Sequence, residues 1–149
     1  MKTLMIISML LLNITFQEGS EPFKGANIIK INTKLDGNEI YTKWGRHLSQ
    51  NGYSIEKSNK DFLSIETAPR DTRRFNYEYK VYSVIDDKGV ILITIKWRIK
   101  SNIIAGTNGT DYYEWEYAKG KGNVQRIIFD EIYETIVAFG NYEISYEKK

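Results

Sequence analysis

The sequence predicts an α+β fold: a two-layer sandwich in which an antiparallel β meander of about five to six strands carries two helices packed on one face. Three observations support this. Two segments between residues 75 and 99 alternate apolar and polar residues on either side of Asp86-Asp87-Lys88-Gly89. Two further segments, around Trp44 and around Ile132, repeat apolar residues at spacings of three and four. Short alternating stretches near Ile29 and Ile144 add a strand at each end of the domain.

The 149 residues are 42% hydrophobic, 13% aromatic and 27% charged with two prolines, which is the composition of a globular domain. A domain of this size buries a core without disulfides. The absence of Cys excludes thiol catalysis, thiolate zinc sites and iron–sulfur clusters, and a single His47 excludes any site needing two imidazoles. With 21 Lys+Arg against 19 Asp+Glu the net charge is +2, so nothing in the overall charge calls for nucleic acid or a membrane surface as partner.

Residues 1–20 have the pattern of a secretory signal peptide. Lys2 precedes an apolar run from Leu4 to Leu12, extended by Ile14 and Phe16, and polarity returns at Gln17-Glu18-Gly19-Ser20. The run is shorter than the roughly 17 residues of a spanning helix. No small-x-small cleavage site stands out, and there is no Cys for lipid attachment, so no stable membrane anchor is expected after signal removal. Residues 21–26 read as a linker and 27–149 as a single domain, exported to the periplasm or the medium.

Within that domain, Ile28 to Thr33 alternates as a strand. Asp36 with Glu39 three residues on forms a capping-box pattern, and Ile40, Trp44, His47 and Leu48 follow at helical spacing up to the stop at Gly52. Tyr53 to Glu56 and Phe62 to Thr67 read as short strands joined by the turn Lys57-Ser58-Asn59-Lys60. The central hairpin has Asp at the first turn position and Gly89 where a left-handed residue is needed, so Asp86 pairs with Val90 and paired numbers sum to 176. Tyr77, Tyr79 and Val81 then oppose Ile99, Trp97 and Ile95 on the helix face. On the other face, expected to be solvated or open to a partner, Glu78 meets Arg98.

Asn108-Gly109 signals a second hairpin between Ile103-Ile104 and the strand Tyr112 to Tyr117. A two-residue turn there sets Tyr113, Trp115 and Tyr117 on the open face beside Arg98 and Lys100, as a binding platform. A bulge near Ser101-Asn102 instead turns all three into the core, and burial is the preferred reading. Val124, Ile127, Ile128, Ile132, Ile136 and Phe139 make the second amphipathic helix, ending at Gly140-Asn141, and Tyr142, Ile144 and Tyr146 a last strand.

Chemistry-bearing clusters are few. No Ser or Asp is placed by motif to build a triad with His47, which is expected on the flank of the first helix's apolar stripe. Asp130, Glu131 and Glu134 are expected on the solvated side of the second helix, at no metal-binding spacing. Gly120-Lys121-Gly122-Asn123 lacks phosphate-loop spacing. Arg70, Arg73 and Arg74 cluster in the loop before Phe75, where an acidic partner could be met. No cofactor, metal or catalytic residue is expected.

The stretch from Asn27 to Arg70, especially Leu48-Ser49-Gln50-Asn51-Gly52-Tyr53-Ser54-Ile55 followed by Phe62-Leu63-Ser64-Ile65-Glu66-Thr67, resembles small periplasmic domains of bacterial envelope proteins. It is similar to the helix-grip-like domain of a lipoprotein family belonging to the Bam outer-membrane assembly machine. The resemblance implies a non-enzymatic envelope module and brings no functional residues with it; the lipid-bearing Cys of that family is missing. The expected function is an exported binding or assembly module with a protein or peptide partner. The alternative is a carbohydrate or cell-wall ligand binder using aromatic side chains on the open sheet face.

Overall fold

The computed structural model describes residues 21–100 and 111–149. It is an α+β fold with one antiparallel sheet and two helices. The elements run β1 (Ile28–Asn32), α1 (Gly37–Gln50), β2 (Ile55–Asn59), β3 (Ser64–Thr67), β4 (Arg70–Asp71), β5 (Tyr77–Ile85), β6 (Val90–Ile99), β7 (Tyr113–Glu114), α2 (Val124–Phe139) and β8 (Glu143–Glu147). Strand order is β2-β3-β5-β6-β1-β8, with β4 beside β5 and β7 beside β6. Among the described residues, eight strands replace the five to six expected, chiefly because β4 and β7 have two residues each, too short for alternation to register.

The central hairpin has the expected register along its length, from Ile85 opposite Ile91 to Tyr77 opposite Ile99. Gly89 has φ +73°, and Asp86 Oδ1 accepts from the Lys88 and Val90 N–H groups. Tyr79, Val81, Ser83, Ile91, Ile93 and Ile95 are buried on one face. Both helices send side chains to it. In α1, Ile40, Trp44 and Leu48 are buried and Trp44 Nε1 donates to Ser83 Oγ at 2.9 Å; in α2, Ile128, Ile132 and Ile136 join the same core. β1 closes the sheet by pairing with β6 on one side and β8 on the other.

Local chemistry explains where elements begin and end. Asp36 caps α1 by accepting from the Asn38 and Glu39 N–H groups, but Glu39 turns away to Lys43, so the box is half formed. The turn expected at residues 57–60 lies further on, because Asn59 Oδ1 accepts from the Asp61 and Phe62 N–H groups and Leu63 takes φ +44°. Lys57, Ser58 and Asn59 therefore belong to β2. Gly25 and Ala26, from the stretch expected as linker, exchange backbone bonds with Tyr117, and Ala26 is buried.

The opposite sheet face is carpeted with charge. Lys80 bonds Glu56 and Glu66, Lys57 lies 3.4 Å from Glu66, and Arg98 Nε donates to Glu78 at 2.5 Å. The Tyr112 hydroxyl donates to the same Glu78 oxygen at 2.8 Å. Burial and that hydrogen bond push the Tyr112 phenol up to about 12. The guanidinium of Arg98 lies 4.6 Å over the Tyr112 ring and the Lys96 ammonium 5.5 Å over that of Tyr82, so cations cover these aromatics.

Candidate protein-docking surface

The two central strands outrun the helices. Strands of nine and ten residues reach about 30 Å at 3.3 Å per residue, whereas the 16 residues of α2 span about 24 Å. The helix-side face is buried at Tyr79, Val81, Ser83 and Ile85 and opens at the Tyr77/Ile99 end, where Tyr77 and Trp97 are only partly covered. There a row of four rings crosses the sheet: Phe75 to Tyr77 at 6.3 Å between centroids, Tyr77 to Trp97 at 5.7 Å, and Trp97 to Tyr113 at 5.5 Å. Phe75 is 68% exposed, Tyr113 57% and the adjoining Ile99 44%. Trp97 is half-buried, and its Nε1–H is buried without an acceptor among the described residues.

Phe75 reaches this position through strain. Its alternation with Tyr77 places it at the opening of the strand, but β5 starts at Tyr77 and Phe75 takes φ +67°, a region that costs a non-glycine residue about 1–3 kcal/mol. The loop is fastened on both sides. The buried Thr72 hydroxyl lies 2.6 Å from the Arg74 carbonyl, its N–H donates to Tyr77 O, and Asn76 exchanges two bonds with the backbone of Lys100. A strained backbone held this firmly while its ring faces solvent is the kind of arrangement found at binding sites.

The sequence-derived site residues separate here. Trp115 is 1% and Tyr117 5% exposed, buried as expected, but Tyr113 stays at the surface, which corrects the expectation that all three share one environment. Tyr113 pairs with Trp97 and Glu114 with Lys96, so the alternative in which all three aromatics share the open face beside Arg98 and Lys100 is not the arrangement formed. The chain leaves β6 after Trp115 N–H donates to Ile95 O, and Tyr117 bonds Ala26, which draws those two rings inward beneath α2. Trp115 Nε1 donates to Gln125 O there. The Asn108-Gly109 turn and the Ser101-Asn102 bulge lie outside the described residues.

Of the basic candidates, Arg98 sits on the opposite face with Glu78, and Lys100 pairs with Asp71. Arg70 donates to Asn51 O and lies 4.2 Å over the Tyr53 ring. Arg73 pairs with Glu134, while Arg74, exposed beside Phe75, has no ion pair among the described residues. Glu131 is not solvated as expected. It is 6% exposed, accepting from the Arg73 N–H at 2.7 Å and from Tyr79. His47 flanks the α1 stripe as expected, with Nε2 donating to the Thr135 carbonyl at 2.8 Å.

Sequence reasoning placed Tyr77 and Trp97 in the core because alternation shows a residue's face and not the extent of its cover. The available signal was length: apolar positions continuing beyond the reach of either helix. Among the described residues, no group of three or more His, Asp or Glu side chains is arranged to hold a metal ion. No protein-family model matches the chain, and no curated protein does.

Proposed function

We propose that this chain is a two-layer α+β module, exported to the cell envelope, that holds a protein or peptide partner on the row Phe75, Tyr77, Trp97 and Tyr113 and performs no catalysis. The observation that carries the reading is the exposed Phe75 ring on a backbone strained to present it. Large aromatics on an otherwise charged surface are the residues that anchor protein interfaces. Arg74, exposed beside Phe75 and without an ion pair among the described residues, favours a partner with an acidic flank.

Site-specific photo-crosslinking in cells that make the protein tests this. A photoreactive phenylalanine at position 75 or at position 113 is expected to trap the same protein, and one at Tyr41 on α1 is expected not to. No adduct, or identical adducts from all three positions, overturns the docking surface. N-terminal sequencing of the purified protein tests export, and an intact Met1 overturns it.

A further inference from the structure

A second aromatic site lies away from that row, beneath the first turns of α2. It is a cleft of 450 Å³ lined by Tyr117, Phe129, Tyr133 and Tyr146, of which Tyr117 and Phe129 are buried and Tyr133 is exposed. The volume falls within the range of about 300–1,000 Å³ usual for small-ligand sites. Phe129 packs near-parallel to the buried Trp115 and stacks against Tyr133 with ring planes 23° apart, so the ring surface left open to a ligand is that of Tyr133, with Tyr146 half-buried 6.0 Å from Phe129.

The polar groups of the cleft are fixed in advance. Arg126 Nε donates to Asp130 Oδ1 at 2.7 Å and Nη1 to the Tyr117 hydroxyl at 2.7 Å, which holds guanidinium and carboxylate side by side at the mouth. The hydroxyls of Tyr133 and Tyr146 make no hydrogen bond to the described residues. Burial, with Tyr133 and Tyr117 nearby, raises the Tyr146 phenol, so it remains a neutral donor and acceptor. The side-chain charges that line it balance, Arg126 and Lys119 against Asp130 and Glu21.

We infer that this cleft is a subsite for an uncharged oligosaccharide. A pyranose ring has an apolar C–H face, which flat aromatic rings accept, and a rim of hydroxyls, which both donate and accept. Phenol hydroxyls and an adjacent carboxylate–guanidinium pair match that rim, since each offers a complementary donor or acceptor at a fixed place. Charge balance argues against other small ligands. A phosphate would meet Asp130 and Glu21, and an amine would meet Arg126 and Lys119. The inference is independent of the docking row, with which the cleft shares no residue.

Saturation-transfer NMR on the purified protein, with chitotetraose, cellotetraose, xylotetraose and mannotetraose as separate probes, tests it. At least one probe is expected to receive saturation, concentrated on the C–H protons of one ring face. Tyr133→Ala and Asp130→Ala are each expected to weaken that binding about tenfold, as for truncation of a central contact. Both side chains are on the surface of α2, so the amide spectrum should show the fold retained. Tyr113→Ala is expected to leave sugar binding unchanged. Absence of transfer to all four probes, or transfer that survives Tyr133→Ala or is lost with Tyr113→Ala, overturns the subsite. Failure of the photo-crosslinking at positions 75 and 113 would leave it standing.

Discussion

The Tyr79 hydroxyl donates to Glu131 Oε2 at 3.2 Å and so joins the central strand β5 to α2. The Tyr53 hydroxyl, 3.0 Å from that of Tyr79, donates in turn, and the other Glu131 oxygen holds the Arg73 N–H next to the Phe75 loop. Burial, followed by the influence of Tyr53 and Glu131, raises the Tyr79 phenol far above its ordinary range. Tyr79 therefore stays protonated where an ordinary tyrosine ionises, and the Glu131 side chain couples core, helix and the Phe75 loop.

Glu131→Ala removes the acceptor of the buried Tyr79 hydroxyl and of the partly buried Arg73 N–H and is expected to cost about 3 kcal/mol in urea melts, with Glu131→Gln losing roughly half as much because one acceptor oxygen survives. A loss within error for Glu131→Ala would contradict the network.

Gly89→Val is expected to destabilise by about 3 kcal/mol or more, since a β-branched residue resists φ +73° and its Cβ would press on the Leu35 carbonyl and approach Thr33 Oγ1 to 2.8 Å. Thermal unfolding measures this, and an unchanged midpoint would rule out the close approach of β1's exit to the turn.

With Trp44 and Trp97 changed to Phe, the remaining Trp115 is expected to emit in the blue and resist iodide quenching, as befits a ring 1% exposed and bonded to Gln125 O. Red-shifted, readily quenched emission would place Trp115 at the surface instead. Trp97→Ala, by contrast, is expected to cost about 2 kcal/mol, less than a fully buried tryptophan, because its ring is half-covered.

The Glu66 carboxyl gives a pH dependence of known sign. Its partial burial opposes ionisation, but hydrogen bonds and charge from Lys80 and Lys57 outweigh this and hold its pKa below 4.5. A depressed carboxyl stabilises the fold at pH values above its unfolded pKa, and that contribution disappears as the pH falls through the folded value. Stability measured by urea should therefore decline on acidification below about pH 4.5, and Glu66→Gln should flatten part of that decline. An identical slope in the variant would deny Glu66 its role.

The sequence conveyed the α+β class, both helices and the whole register of the central hairpin, because each rests on short-range chemistry: a capping Asp36, a turn that needs Gly89, strict alternation. It conveyed less where long-range geometry decides. Glu131 shares the helical spacing of a solvated residue, and only the approach of Tyr79 and the Arg73 backbone makes it a core acceptor. Tyr113 and Trp115 alternate identically, yet the departure of the chain from β6 buries one and exposes the other. Phe75 has the pattern of a strand residue because nothing local announces a left-handed turn at a phenylalanine.

The placement of β1 also bears on how the fold is completed. β5 and β6 are joined by a tight turn, so their pairing closes a short loop and can form early. β1 must wait for β6, which lies far downstream, and gains its second neighbour from β8, the last of the described strands. During synthesis β1 therefore stays without a full set of partners until β8 has been made. Sequence separation therefore favours the β5–β6 pairing first and the β1–β8 pairing last.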